Sequence, residues 1–284
     1  MMPSSLAFEK KFKQKPKLFA RSPGRESILT IQATRVLPMA IDSDIVIAVA
    51  VAADSDPCRF KVDISNIDES TYPDQYIDVL LDQPIFINSA IHEWSNYFKC
   101  GCKGALENSN HDGLKSMMVM ISGNYTSRLS SSSALVCASV IATLAIQGIN
   151  KPKDDLVQIA IRSERYAGVH TGGMDQSISI MGQQGNILMI HFYPTLSISP
   201  SISISSPEPY TLEDISQELG ISTEEARKTF IGELIIYDAD GFDLYKRTLH
   251  VFSEARRVYM FWDTCAHASK EPGPYASRLG SPDE

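Results

Sequence analysis

Two polar motifs, about forty residues apart, contain the residue types and spacings in this chain that could do chemistry. The first is a run of four serines, Ser130, Ser131, Ser132 and Ser133, directly before an apolar segment from Ala134 to Ile146. A helix that begins here offers unpaired backbone N–H groups, the positive end of its dipole and hydroxyls, which together bind phosphate oxygens. Because serine is also an ordinary N-cap residue, a buried helix start without any ligand is the alternative.

The second motif places one carboxylate, Asp175, directly after the Gly172-Gly173-Met174 segment. An aspartate in a turn of this kind can act as a base near the anion site that the serines predict. The alternative is an aspartate that only forms the turn. Taken together, the two motifs predict an anion-binding cradle with a base beside it.

The elements that must position these motifs alternate between strands and helices. The apolar runs Asp44–Ala52 and Asn186–Phe192 predict buried strands. Further predicted helices are Ser130–Gln147, Pro152–Gly168, Thr211–Leu219, Ser222–Phe230 and Leu244–Phe261. The second of them carries Glu164 near its end, and the glycines that follow can return the chain to the same pocket.

The alternating segment Ser197–Ser206 marks a change in the character of the chain. Its period of two fits an edge strand, but Pro200 favours a loose junction. The predicted organisation is a domain over 1–196, a junction over 197–208, a helical region over 209–262 and an irregular tail over 263–284.

Composition narrows the class of protein. The chain has 284 residues, 43% of them hydrophobic, and a formal charge of −8. Residues 1–25 carry seven of the basic side chains and predict a basic surface helix, so the acidic remainder argues against nucleic-acid binding. No apolar run is long enough to predict a membrane span. Five cysteines without ligand spacing, Cys100 and Cys102 included, predict reduced thiols in the cytoplasm and no zinc site.

Several ordered motifs resemble the galactokinase branch of the GHMP small-molecule kinases, and in detail most closely N-acetylgalactosamine kinase. The similar segments are Arg21–Arg25, Val36–Ala40, Trp94–Gly104, Leu129–Val136, Ser163–Gly168 and Gly172–Ser179. The resemblance runs from about residue 8 to 196 and resumes from Pro209 to about Met260. It implies a mixed α+β fold, that of the GHMP kinase (ribosomal protein S5 domain 2-like) N-terminal domain, with an incomplete C-terminal domain.

The resemblance also implies roles for residues. Asp175 corresponds to the catalytic aspartate, and Arg25 corresponds to the arginine that pairs with it and with the phosphoryl group. Arg128 and the serines Ser130–Ser133 correspond to contacts with ATP, and Gly173 lies with Arg25 and Asp175 at the sugar. Glu164 corresponds to a Mg²⁺ ligand, with Ser132 as the second protein ligand. The alternative for Glu164 is a solvated partner of Arg162 or Arg165, and Trp94 and Tyr97 are expected to pack rather than bind.

Three departures from the family pattern bear on activity. Residues Glu26–Arg35 replace a longer segment whose Glu, His and Asp hold the sugar, and their loss predicts poor sugar selectivity. Asn124–Arg128 replaces a phosphate loop that ends in glycine, so Arg128 adds bulk where the backbone must approach phosphate. A middle segment of roughly a hundred residues and the glycine-rich third motif have no counterpart, which predicts a cleft that lacks one wall.

The sequence therefore predicts an ATP- and Mg²⁺-dependent sugar 1-kinase, with galactose or N-acetylgalactosamine as the substrate. Two alternatives belong to other classes. One is a non-catalytic relative that binds sugar or nucleotide and acts through a protein partner that the sequence does not identify. The other is a truncated product without activity.

Overall fold

A computed structural model describes residues 5–31, 35–53, 56, 58–91, 93–109, 113–123, 131–184, 186–192, 195–203 and 210–230. Two of the predicted site residues, Arg128 and Ser130, lie outside these ranges, as do the predicted helix Leu244–Phe261 and the predicted tail. The chain divides into two compact units, Met1–Ile202 and Ser203–Glu284, and the boundary between them falls within the predicted junction 197–208.

The first unit is built on a seven-stranded sheet. Its strands are β1 (Leu18–Ile31), β2 (Arg35–Val51), β3 (Arg59–Asn66), β4 (Gln75–Leu80), β5 (Met117–Gly123), β6 (Asn186–His191) and β7 (Ser197–Ser203). The strand order is β4-β3-β5-β2-β6-β7, and β1 pairs with β2 as a long antiparallel hairpin. Since β3 and β5 run parallel, the chain between them crosses over the sheet.

Helices cover both faces of this sheet. They are α1 (Ser5–Phe12), α2 (Ser95–Glu107), α3 (Ser131–Gln147), α4 (Lys153–Glu164) and α5 (Met174–Met181), with a 3₁₀ turn at Arg165–Ala167. Alternate residues of β2 point to opposite faces, as the period of a strand requires. Ile47 and Val49 pack in one cluster with Phe98 of α2, whereas Ala48 packs with Phe8 of α1 on the other side.

The predicted buried strands are confirmed, and the hairpin that contains one of them is longer than expected. Asp44–Ala52 is the second half of β2, and Asn186–Phe192 corresponds to β6. The sequence did not predict β1, because Pro23 and Gly24 interrupt its apolar pattern. The strand accommodates them with a shift of register between Pro23 and Arg25.

The segment Ser197–Ser203 forms a strand, which corrects the expectation that a loose junction begins at Ser197. It lies beside β6 as the last strand of the sheet order. The alternation of serine and isoleucine has the period of a strand, and an edge position tolerates Pro200 because one side of an edge strand needs no partner. The edge-strand alternative is therefore the correct one for these residues.

The predicted helices of the first unit are confirmed. Ser130–Gln147 corresponds to α3 and ends before Gly148, and Pro152–Gly168 corresponds to α4 with the 3₁₀ turn that follows it. Gly148 and Gly168 both have the positive φ expected of residues that end helices, at 80° and 79°. Among the described residues, none of the helices combines the length and the apolar composition that crossing a bilayer requires.

The basic helix predicted near the amino terminus corresponds to α1. Phe8 is fully buried on one side of it and makes a ring contact with Phe12. Lys11 on α1 forms ion pairs with Glu69 and Asp74. The helix is thus amphipathic, with an apolar side that packs against the sheet.

The second unit contains α6 (Leu212–Leu219) and α7 (Thr223–Phe230), which confirms both predicted capped helices. Thr211 and Asp214 form a reciprocal capping box at the start of α6. Ser222 Oγ accepts the backbone N–H of Glu225 at the start of α7. These caps satisfy N–H groups that have no partner inside a helix.

Candidate active site

Four elements of the first unit bring the predicted catalytic residues together. Arg25 comes from β1, directly after the register shift at Gly24. Ser133 lies in the first turn of α3, Glu164 ends α4, and Asp175 lies in the first turn of α5. Residues separated by up to 150 positions in the chain therefore form one polar site.

Arg25 and Asp175 form an ion pair. Arg25 Nε donates to Asp175 Oδ1 at 2.5 Å, and the two side chains are 25% and 13% exposed. A charged pair in such a partly buried place is screened less by water than one on the open surface. The first turn of α5 also favours a carboxylate because the helix dipole is positive there. The residues predicted as base and charge partner are thus in direct contact.

Gly173 allows α5 to begin against α4. Its φ is 92°, in the left-handed region that favours glycine. A Cβ atom at this position would lie 2.5 Å from Ile161 Cδ1 on α4. A side chain at this position would have to displace the end of Ile161, so the glycine lets α5 begin close to α4.

Glu164 is the most enclosed charged group of the site, at 1% exposed. Its Oε1 accepts Ser133 Oγ at 2.6 Å, and its Oε2 accepts Thr171 Oγ1 at 2.9 Å and Gln176 Nε2 at 2.5 Å. Burial raises the pKa of Glu164, and the nearby negative charge of Asp175 acts in the same direction. The three hydrogen bonds lower the pKa but do not cancel the effect of burial.

The run of serines is only partly described. Ser131 and Ser132 are half-buried at the start of α3, and Ser133 is buried and contacts Glu164. The metal-ligand role of Ser132 and the phosphate roles of Ser130, Ser131, Ser132 and Arg128 stay predictions. The phosphate role predicted for Ser133 also stays a prediction, although its hydroxyl donates to Glu164 in the structure. The alternative of Glu164 as a solvated surface residue is wrong, because its carboxylate is buried.

Sequence reasoning missed Thr171 and Gln176 as part of this site. Gln176 is fully buried, and its Nε2 lies within 3.2 Å of Thr171 Oγ1 and 3.4 Å of Ser133 Oγ in addition to Glu164. The one available signal was that Gln176 directly follows Asp175. Burial of that glutamine could not be read from the motif.

The expected packing aromatics are confirmed. Trp94 Nε1 donates to the backbone oxygen of Pro73 at 3.3 Å, and its ring meets that of Tyr72 edge-on. Tyr97 packs against the apolar clusters between the sheet and the helices.

The donor set at Glu164 fits a Mg²⁺ ion bound jointly with a nucleotide. Within the described ranges no three His, Cys, Asp or Glu side chains come together as a self-sufficient metal site. Mg²⁺ nevertheless takes one or two carboxylates and completes its shell with water and phosphate oxygens. The Glu164 carboxylate and the Ser133 hydroxyl supply oxygen ligands of the required kind.

Comparison with known proteins agrees with this arrangement. Residues 96–183 match the model of the GHMP kinases N terminal domain, and this range includes Ser133, Glu164 and Asp175. A solved galactokinase from Lactococcus lactis, complexed with galactose, superposes with a TM-score of 0.58 at 20% identity, over 72% of this chain and 53% of that one. The fold of the first unit is thus that of the GHMP kinases N terminal domain.

Relatives that are similar in sequence show which branch of these kinases the chain belongs to. A galactokinase from Candida maltosa is 37% identical over 182 residues, which cover 61% of this chain and 81% of the relative. A galactokinase from Schizosaccharomyces pombe is 36% identical over 68% of this chain. This chain belongs to the galactokinase family. It spans 40% of the length of the S. pombe protein.

Proposed function

We propose that this chain binds ATP with Mg²⁺ and transfers the γ-phosphoryl group to the 1-hydroxyl of a galactose-type sugar, galactose or N-acetylgalactosamine. The observation that carries the proposal is the Arg25–Asp175 ion pair beside the buried Glu164–Ser133 pair. Phosphoryl transfer needs a charge partner, a proton acceptor and a metal ligand in one place. The galactokinase relatives and the galactose named with the L. lactis structure support the choice of sugar.

In the proposed reaction, Asp175 accepts the proton of the sugar hydroxyl. The sugar oxygen forms a bond to the γ-phosphorus while the bond from that phosphorus to the bridging oxygen of ADP breaks. The observed ion pair uses one carboxylate oxygen and one guanidinium nitrogen, so Asp175 Oδ2 and the terminal nitrogens of Arg25 are assigned to the hydroxyl and the phosphoryl group. The backbone of Gly173, beside Asp175, is assigned to the sugar site on the family pattern.

The first turn of α3 is assigned to the nucleotide phosphates. Backbone N–H groups at a helix start and the hydroxyls of Ser130, Ser131 and Ser132 favour anions, whereas the Ser133 hydroxyl donates to Glu164, and Arg128 adds a guanidinium. Glu164, with Ser132 or Ser133, holds Mg²⁺, which neutralises charge on the phosphate oxygens when it is bound. We expect this reaction in the cytoplasm, in keeping with the four free cysteines of the described residues.

A coupled assay of ADP release tests the proposal. The purified chain is given Mg-ATP with galactose, with N-acetylgalactosamine or with no sugar. ADP release that requires one of the two sugars is the expected result, and the preferred sugar defines the substrate. Equal release with and without sugar, after subtraction of background hydrolysis, would contradict the proposal.

A second candidate is a protein that binds nucleotide without transferring phosphate. It is favoured by the β1–β2 hairpin, in which Glu26 pairs with Met39 and Ile31 pairs with Arg35. These residues stand where the family pattern carries its sugar-binding segment. Calorimetric binding of a non-hydrolysable ATP analogue, without sugar-dependent ADP release, would favour this candidate over the kinase.

A further inference from the structure

The side chain of Gln176 occupies the centre of the buried polar cluster. It is fully buried, and its single amide nitrogen faces Glu164, Thr171 and Ser133. These three partners come from the end of α4, the loop before α5 and the start of α3. Gln176 therefore touches every segment that positions the carboxylate of Glu164.

The donors and acceptors of this cluster fit together in one arrangement. The hydroxyls of Ser133 and Thr171 each donate to Glu164, so their oxygens are left to accept from Gln176. The shortest contact of Gln176 Nε2 is to Glu164 Oε2, at 2.5 Å. Reversal of the amide would put its oxygen against a carboxylate oxygen, which is repulsive. The orientation of Gln176 is thus set by Glu164 and in turn holds Glu164.

We propose that Gln176 is a positioning residue that fixes the Glu164 carboxylate for a divalent cation. This inference rests on the proposed function, because it presumes that Glu164 is the metal ligand. The neighbouring Asp175 pairs with Arg25, so the first turn of α5 fixes the base and the metal ligand together. Groups that orient a metal ligand through hydrogen bonds generally contribute 10- to 100-fold to metal affinity.

The side-chain oxygen of Gln176 is evidence that a polar ligand binds in this cluster. Gln176 Oε1 is buried, and no described residue is its hydrogen-bond partner. A buried acceptor without a partner is costly, so native proteins normally satisfy it with a protein group or with water. Mg²⁺ keeps several water molecules when it binds, and such a water can donate to this oxygen.

The test is the gain in affinity for AMP-PNP that saturating Mn²⁺ provides, measured by titration calorimetry with Mn²⁺ and with EDTA. Gln176→Met removes the amide and keeps the volume, and it is expected to reduce this gain by about 10-fold or more. Binding in EDTA should change by less than about 2-fold, whereas a general structural defect would weaken both. Gln147→Met is the matched control, because Gln147 pairs with the backbone of Lys115 at the far end of α3.

Glu164→Gln separates the role of Glu164 as a metal ligand from the role of Gln176 in positioning it. This variant is expected to abolish the gain in AMP-PNP affinity that Mn²⁺ provides. If it does so while Gln176→Met keeps the full gain, the positioning role is refuted and the metal role of Glu164 stands. If the unmodified chain shows no gain, the metal role of Glu164 and the positioning role of Gln176 are both refuted. If Gln147→Met loses as much of the gain as Gln176→Met does, the role of Gln176 is also refuted. Should Gln176→Met fail to melt cooperatively, Gln176→Asn decides, since its shorter amide cannot reach Glu164 and must give the same loss.

Discussion

Arg21 and Arg25 lie on the same strand, and each pairs with an aspartate through Nε. Arg21 bonds to Asp44 at 2.6 Å with its side chain 59% exposed, whereas Arg25 bonds to Asp175 and is 25% exposed. The two pairs are chemically equal and differ in location. They therefore offer an internal comparison between an ion pair whose arginine is exposed and one at the proposed reaction centre.

We expect Arg25→Gln to lower the rate of phosphoryl transfer by about 100-fold or more, because it removes a cation that stabilises charge in the transition state. Arg21→Gln should change this rate by less than about 3-fold, as expected for an exposed pair. Steady-state kinetics with Mg-ATP and the preferred sugar checks both variants. Similar losses in the two variants would show that charge alone, and not its position, accounts for the effect.

The described cysteines differ sharply in environment. Cys58 is exposed, whereas Cys100, Cys102 and Cys137 are buried. Burial raises the pKa of Cys100 and of Cys102 to about 12. Since the thiolate is the reactive form, burial and the raised pKa both make these two thiols unreactive in the folded chain.

The fifth cysteine, Cys265, lies outside the described residues and is replaced by serine for this test. In this Cys265→Ser background, we expect one thiol to react quickly with a disulfide reagent between pH 8 and 9. Because Cys58 is the exposed thiol among the described cysteines, Cys58→Ser should remove this phase. The buried thiols should react only after denaturation, which absorbance of the released thiolate can follow. A fast phase that survives Cys58→Ser would contradict the burial of the other three.

At this scale, the family motifs were sufficient to predict the contact between Arg25 and Asp175 but not the cluster around Glu164. Four consecutive serines look alike in the sequence, and only the phase of α3 determines that Ser133 meets Glu164. The role of Gln176 depends on burial created by three separate segments. Such a property belongs to the packed structure and has no local signal.

At the scale of elements, the start of α5 depends on one glycine. Gly173→Ala should destabilise the fold by about 1 kcal/mol for the positive φ, and by up to about 1 kcal/mol more for the displacement of the Ile161 side chain. Gly148→Ala is the control, because Gly148 also has a positive φ but would place its Cβ in open space. Urea unfolding measures both, and equal losses would show that the approach of α5 to α4 does not require a glycine.

The capping box of α6 gives a second prediction at this scale. Thr211→Ala removes the hydroxyl that accepts the Asp214 N–H, and we expect the local stability of α6 to fall by about 1 kcal/mol. Thr211→Ser keeps the hydroxyl and should stay within a few tenths of a kcal/mol. Hydrogen exchange of the α6 amides measures the change. Equal exchange in the alanine and serine variants would contradict a role for the cap.

Elements with strong periodicity or caps were predictable, and those interrupted by proline or glycine were not. The apolar run of α3 and the cap residues of α6 and α7 were sufficient for their assignment. In contrast, Pro23 and Gly24 concealed β1, and Pro200 concealed β7. Both strands exist because neighbouring strands supply hydrogen bonds that override local preference.

At the scale of the whole molecule, every described residue to which the proposed reaction assigns a role lies in the first unit. The sheet and its helices bring Arg25, Ser133, Glu164 and Asp175 into one site from four elements. The family assignment covers this region.

The most direct measurement is the transfer of labelled γ-phosphate from ATP to the preferred sugar by the unmodified chain and by Asp175→Asn. We expect formation of sugar 1-phosphate by the former and a rate at least about 100-fold lower for the latter, because the variant cannot accept the hydroxyl proton. Asp154→Asn, at an exposed position on α4, is the control and should transfer at the unmodified rate. Equal transfer by the unmodified chain and by Asp175→Asn, or no sugar phosphate from either, would contradict the account.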